Sequence, residues 1–195
     1  MVNNLSVVFG RKLWLVIYGE APPEGEIENA KAIAKNLGFG ARAVSTKAMW
    51  LGFQARFCNL VIVGGPFANE WAVKMNDYVN PKYDITILRE KTKEETWKDY
   101  IASGAVQCRG FLKDVAPYAG VAHKGMIGVG AQPYLRLRAL QIFMVGGWDY
   151  GDTCTMGLAF REGQGAGIYD CIYTTPPSYT EPCQEITSYS KITDP

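Results

Sequence analysis

Three short apolar runs, each leading directly into glycine, constrain this chain more than any other feature. Leu13-Trp14-Leu15-Val16-Ile17-Tyr18 ends at Gly19, and Asn59-Leu60-Val61-Ile62-Val63 ends at Gly64-Gly65-Pro66. Leu140-Gln141-Ile142-Phe143-Met144-Val145 ends at Gly146-Gly147-Trp148-Asp149. Nearly every position in these runs is apolar, which suits strands buried on both faces, as in a parallel sheet covered by helices. A helical pattern follows each one. After Pro22-Pro23, residues Ile27, Ala30, Ile33, Ala34 and Leu37 recur along one face, with Glu24 and Glu26 at the positive end and Gly38 as the stop. A second helix is expected from about Asn69 to Asn76 and a third from about Asp152 to Phe160.

Three strand-to-helix units predict an α/β fold with a mostly parallel sheet sandwiched by helices, in Rossmann- or flavodoxin-like layering. The remaining segments read more weakly. Ile85–Leu88 suits a short strand, and Thr92-Lys93-Glu94-Glu95 has capping-box spacing ahead of a helix. Val106–Leu112 hints at an edge strand, Met126–Val129 at a glycine-punctuated strand in a hairpin with the next, and Ile168–Thr174 at a last strand. From Thr175 onward the chain is rich in Pro, Ser, Thr and Tyr and has no periodicity. Residues 1–175 are therefore read as one domain and 176–195 as an extended polar C-terminal tail. Its tyrosines, with Tyr169 and Tyr173 just before it, suit either a contact surface or a tail lying on its own domain.

A length of 195 residues, 48% hydrophobic, suffices for one core without staples. Twenty basic against nineteen acidic residues leave a net charge of +1, unlike the basic field of a nucleic-acid binder, so no nucleic acid is expected as a partner. Arg136 and Arg138 are read as solvated side chains beside a strand. No stretch approaches the roughly 20 apolar residues of a membrane span, and no export signal is apparent. A cytoplasmic protein, a mature form and a virion component all stay open. Among five cysteines there is no CxxC pair; Cys58 and Cys108 suit buried positions, and Cys171 and Cys183 flank a Pro-rich turn as the candidate disulfide pair. Such a bond would need an oxidising compartment or a hyperthermophile cytosol.

In an open α/β sheet the turns after Val63 and Val145 would lie where ligands bind, at the carboxyl ends of the strands. The candidate ligand loops are thus Gly64, Gly65, Pro66 and Asn69, and Trp148, Asp149, Asp152 and Thr153. Gly64-Gly65-Pro66 could offer N–H groups to an anion but lacks the lysine and hydroxyl of a phosphate loop. A tight turn explains its glycines equally well. Asp149, Asp152 and Thr153 could serve a metal or a general base, with Trp148 as a stacking platform, yet capping a helix accounts for them at lower cost. Gly163-Gln164-Gly165-Ala166-Gly167 follows a helix instead of opening one, which makes it a connector. His123 is the only histidine, and neither Cys58 nor Cys154 stands in a nucleophile motif. No catalytic set, metal set or cofactor can be named.

Three blocks together resemble the α/β module of archaeal S-layer (surface-layer) proteins. The first is Val16-Ile17-Tyr18-Gly19-Glu20-Ala21 leading into the alanine-rich stretch Ile27–Gly38. The second is Leu60-Val61-Ile62-Val63-Gly64-Gly65-Pro66-Phe67-Ala68-Asn69. The third runs through Lys124-Gly125-Met126-Ile127 and Gln132-Pro133-Tyr134 to Met144-Val145-Gly146-Gly147-Trp148-Asp149 and Asp152-Thr153. These blocks span most of residues 14–160. The resemblance implies an α/β block that self-assembles with copies of itself or related subunits, at a cell surface, in an extracellular filament or in a virus particle, with no catalytic residues to carry over. Two other classes stand beside it: a small-molecule or nucleotide-binding domain using the loops Gly64–Asn69 and Gly146–Thr153, and an enzyme with Asp149 or Asp152 as base.

Overall fold

The computed structural model describes residues 13–20, 22, 24–66, 68–80, 82, 123–134, 140–147, 150–172 and 188–192. The expected elements over 85–112 lie outside these, as do Cys108, Cys183, Trp148 and Asp149. In chain order the described elements are β1 (Trp14–Tyr18), α1 (Glu24–Leu37), β2 (Ala41–Ser45), α2 (Leu51–Gln54) and β3 (Asn59–Val63). They continue with α3 (Glu70–Met75), β4 (Val79–Asn80), β5 (His123–Ala131), β6 (Gln141–Gly147), α4 (Tyr150–Arg161), β7 (Gly167–Ile172) and β8 (Ser188–Ile192). Short 3-10 turns follow α2 at Ala55–Phe57 and α3 at Asn76–Tyr78.

All eight strands join one sheet in the order β2-β1-β3-β6-β5-β7-β8, with β4 paired to β5 off that path. The expected mostly parallel, Rossmann- or flavodoxin-like sheet is wrong. Pairs β1–β2, β1–β3 and β3–β6 are parallel, whereas β4–β5, β5–β6, β5–β7 and β7–β8 are antiparallel. The sheet is mixed. The reason lies in chain length between strands. A parallel neighbour needs a crossover of about a dozen residues or more. Only residues 132–140 separate β5 from β6, so these two form a hairpin and β5 lies against the direction of the parallel block. Unit β6-α4-β7 is still a crossover between strands of one direction, but it steps over β5, which fills the gap between them.

The strong strands are buried on both faces because two clusters use alternate residues of each. On one face Leu15, Ile17, Leu60, Ile62, Ile142 and Met144 meet Leu51 and Ala55 around α2 and Trp71, Ala72 and Met75 of α3. On the other, Trp14, Val16, Val61, Val63, Phe143 and Val145 meet Ala30, Ile33, Ala34 and Leu37 of α1 and Met156, Ala159 and Phe160 of α4. Phe143 is central there, with ring centroids 5.8 Å from Trp14 and 5.1 Å from Phe160.

Part of the C-terminal tail lies on the domain. Ser188–Ile192 is the edge strand β8, paired along β7 from Ile168↔Ile192 to Ile172↔Ser188. Tyr189 packs edge-on against Tyr169 at 6.0 Å and donates its hydroxyl to Glu162 just beyond α4. Burial, with the Glu162 carboxylate beside it, pushes the Tyr189 phenol up to about 12. This part of the tail lies on its own domain. The expected Cys171–Cys183 disulfide is likewise not found: Cys171 is a buried thiol, whereas Cys154 in α4 is disulfide-bonded. Cys58, the other described cysteine, is also a thiol, so the partner of Cys154 is not among the described residues. Among those residues no helix is long and apolar enough to cross a membrane.

Candidate functional site

Strands β1, β3 and β6 are parallel neighbours, so their carboxyl ends lie side by side and the glycine turns after them converge. The Gly64 N–H donates to the Val145 carbonyl at 2.9 Å, which ties the turn after β3 to the end of β6. This is also where the chain reverses its order: from β1 it moves through α1 to β2 on one side, while β3 lies on the other. A crevice between β1 and β3 is the usual ligand position in such sheets.

Here the crevice is filled by the chain itself. Asn69, fully buried at the N-terminus of α3, donates its amide to the Ile17 carbonyl at 2.9 Å and the Val63 carbonyl at 2.8 Å. Its carbonyl oxygen accepts from the Trp71 N–H at 2.9 Å, which caps α3. One side chain thus joins the ends of β1 and β3 and starts the next helix. The following loop lies so close to Gly19 that a Cβ there would fall 2.0 Å from the Ala68 carbonyl oxygen. Gly64 has φ +97°, in the left-handed region, and a Cβ on it would meet Glu26 Oε1 at 2.9 Å.

Glu26 is the group that the sequence reading did not place here. Its side chain is only 3% exposed. Burial raises its carboxyl from 4.5 to about 7, opposed by a hydrogen bond from the Gly19 backbone. Among the described residues Oε1 has no hydrogen-bond partner. The phenol of Tyr150, at the start of α4, is raised by burial and then by the Glu26 charge, so the two groups lie within electrostatic reach of one another. A signal for Glu26 was present in the sequence. Positions 26, 30, 33, 34 and 37 form one helical stripe, and the acid occupies its first place.

The second expected loop converges on the same end but is turned to structural use. Thr153 Oγ1 accepts from the Gly147 N–H at 3.2 Å, and the Thr153 carbonyl accepts from Asn29 of α1 at 3.3 Å. Asp152 is fully buried in the first turn of α4. Gly64, Gly65, Pro66, Asn69, Asp152 and Thr153 therefore gather at one end of the sheet. No family model, no curated protein and no solved structure matches this chain. What the arrangement can do chemically is limited: its carboxyls are buried side chains inside a packed junction, and among the described residues no three His, Cys, Asp or Glu gather as a metal set would.

Proposed function

We propose that this chain is a structural subunit that assembles with copies of itself or with related subunits, as the resemblance to S-layer modules suggests. The observation that carries the reading is the filled crevice. At the carboxyl ends of β1 and β3, where a ligand would be expected, Asn69 joins the two strands and the loop through Ala68 leaves no room even for a methyl group on Gly19. The glycines there serve close packing, and the result is a rigid block. The disulfide at Cys154 supports a location outside a reducing cytosol, such as a cell surface, an extracellular filament or a virus particle.

A second reading draws support from Glu26, whose buried Oε1 has no hydrogen-bond partner among the described residues. That oxygen would suit a small polar ligand or a cation admitted by movement of the Gly64–Asn69 loop. Two measurements separate these readings. Negative-stain microscopy of the purified protein should show regular lattices, filaments or discrete oligomers. Thermal-shift screening against nucleotides, sugars and divalent cations should be flat, because only a ligand that prefers the folded state raises the melting temperature. Dispersed single particles together with a concentration-dependent shift would reject assembly in favour of binding.

A further inference from the structure

Most of the large exposed apolar side chains among the described residues lie near one margin of the sheet. Among the described residues the large exposed ones are Leu13, Phe39, Met49, Trp50, Phe53, Phe57, Tyr78 and Tyr134. Six of them, Leu13 to Phe57, border one feature: the edge strand β2 and the α2 segment beside it. Phe53 and Phe57 lie in α2 and the 3-10 turn after it, and Trp50 stands at the N-cap of α2. The rings of Phe53 and Phe57 touch edge-on at 5.2 Å. Leu51 and Ala55 of the same segment point into the core. Arg42 of β2 donates to Gln54 of α2, which holds that segment against the strand. At the amino end of the sheet, Leu13 precedes β1, Phe39 precedes β2 and Phe57 precedes β3. Their strand starts are linked there by Asn59 N–H to Leu13 O at 2.9 Å and Trp14 N–H to Gly40 O at 3.3 Å.

Three further properties set this margin apart. The first is strand exposure: β2 ends the strand order, so its outer backbone edge faces no described strand, and every residue in it is at least partly exposed. Edges of this kind pair readily with another chain unless they are blunted. The second is area. Weighted by their exposures, the six side chains leave on the order of 700 Å² of apolar surface in water, taking roughly 150–250 Å² for a large side chain. A standard interface takes about 800 Å² from each partner, so the six together come close to one such face. The third is backbone strain: Trp50 is the only described non-glycine residue with positive φ, at 65°, and its indole is 68% exposed. Such conformations persist where the surrounding structure has a use for them.

We infer that a second copy of this chain covers this margin, with the two β2 strands paired antiparallel about a twofold axis. The inference rests on the self-assembly reading and gives it a surface. A twofold relation is favoured because the patch has two ends, one at each end of β2. Met49 and Trp50 lie past its carboxyl end, and Leu13 and Phe39 lie at its amino end. Antiparallel pairing brings the first set of one copy against the second set of the other, twice over, as an isologous interface requires. An axis at Ala43 also opposes Arg42 to Val44, whereas an axis one residue earlier would face Arg42 with its own copy, and like charges directly opposed are unfavourable. The two β2 strands would then join two sheets into one, with both α2 segments on the same face.

Sedimentation of the full chain over a concentration series is the test, with wild type compared to Phe39→Lys and Phe53→Lys. Both substituted rings are mostly in water in the single chain, so circular dichroism and melting temperature should not change. The wild type should associate, and each variant should weaken association about 30-fold or more, as loss of a central aromatic does. If wild type and variants associate equally, the interface lies elsewhere; this inference falls and self-assembly stands. A wild type that stays monomeric at about 100 μM, where even weak interfaces associate, overturns both, and the chain itself or a different protein then covers the patch. Should a lysine variant fail to fold, Ala43→Cys decides. Mild oxidation should give a disulfide-linked dimer that the wild-type chain does not form, and absence of that dimer in an associating sample overturns the β2 pairing.

Discussion

Between pH 4 and pH 8 the wild-type protein should lose about 3 kcal/mol of stability that a Glu26→Gln variant keeps. The magnitude is about 1.36 kcal/mol for each unit of the rise from 4.5 to about 7. The sign follows from which state holds the proton more tightly. In the folded protein the carboxyl is buried and prefers to be neutral, whereas in the unfolded chain it ionises near its ordinary value. Below about pH 4.5 it is protonated in both states and exerts no penalty. As pH rises through the window from 4.5 to 7, the unfolded chain releases its proton first and gains relative to the folded one. Above about 7 the folded state too must carry a buried charge, so the full loss has been taken. Urea denaturation at several pH values would measure it, with the difference between wild type and Glu26→Gln isolating this group from every other carboxylate. Equal pH profiles for the two proteins would mean that Glu26 is well solvated and that the crevice is open. That outcome would favour the ligand-binding reading.

The same residue illustrates what the sequence disclosed and what it withheld. The stripe of positions 26, 30, 33, 34 and 37 is visible in the sequence, but an acid in the first turn of a helix is equally well explained by the dipole. What the sequence does not show is the approach of Gly64, distant in sequence, which with nearby Gly19 packs against Glu26. The strong strands β1, β3 and β6 were legible because burial on both faces demands unbroken apolar runs. Strand β2, Ala41–Ser45, left no such trace: it is a partly exposed edge strand with an arginine in it, and the helix beside it has four residues. The mixed sheet was hidden for a different reason. Strand direction depends on what lies between two strands in space, and β5 inserts between β6 and β7 although it precedes both in the chain. Strand β8 in the C-terminal tail was hidden by its composition. Ser188-Tyr189-Ser190-Lys191-Ile192 has little apolar content, yet an edge strand needs only one ladder of backbone hydrogen bonds and one good contact, here Tyr189 on Tyr169. Removing the tail would therefore strip β8 from the sheet as well as any contact with a neighbour. The glycine turns themselves were readable as turns, and their convergence followed once β3 and β6 proved to be neighbours.

Asn69→Ala should destabilise the protein by about 3–4 kcal/mol, several times the cost of an ordinary substitution, which is about 1 kcal/mol. Loss of a helix N-cap costs about 1 kcal/mol. The rest comes from the amide nitrogen, which donates to the Ile17 and Val63 carbonyls inside a buried junction. Alanine leaves no donor for either, and a buried polar group deprived of its partner costs about 1–3 kcal/mol. The two shares can be separated. Asn69→Ser keeps an oxygen to accept from the Trp71 N–H, so it should recover about 1 kcal/mol relative to alanine. Asn69→Asp keeps the same acceptor, removes both donors and places an anion against two carbonyl oxygens, so it should be no better than alanine. An order in which aspartate matches wild type would show that capping is the residue's whole contribution and that the ends of β1 and β3 are not joined through it. If the order is as expected, hydrogen exchange of the Gly19 and Ala68 amides should quicken in the alanine variant while that of α1 and α4 changes less, because local opening draws on the weakest junction. The rigidity proposed for this block would then trace to one side chain at the place where comparable sheets hold a ligand.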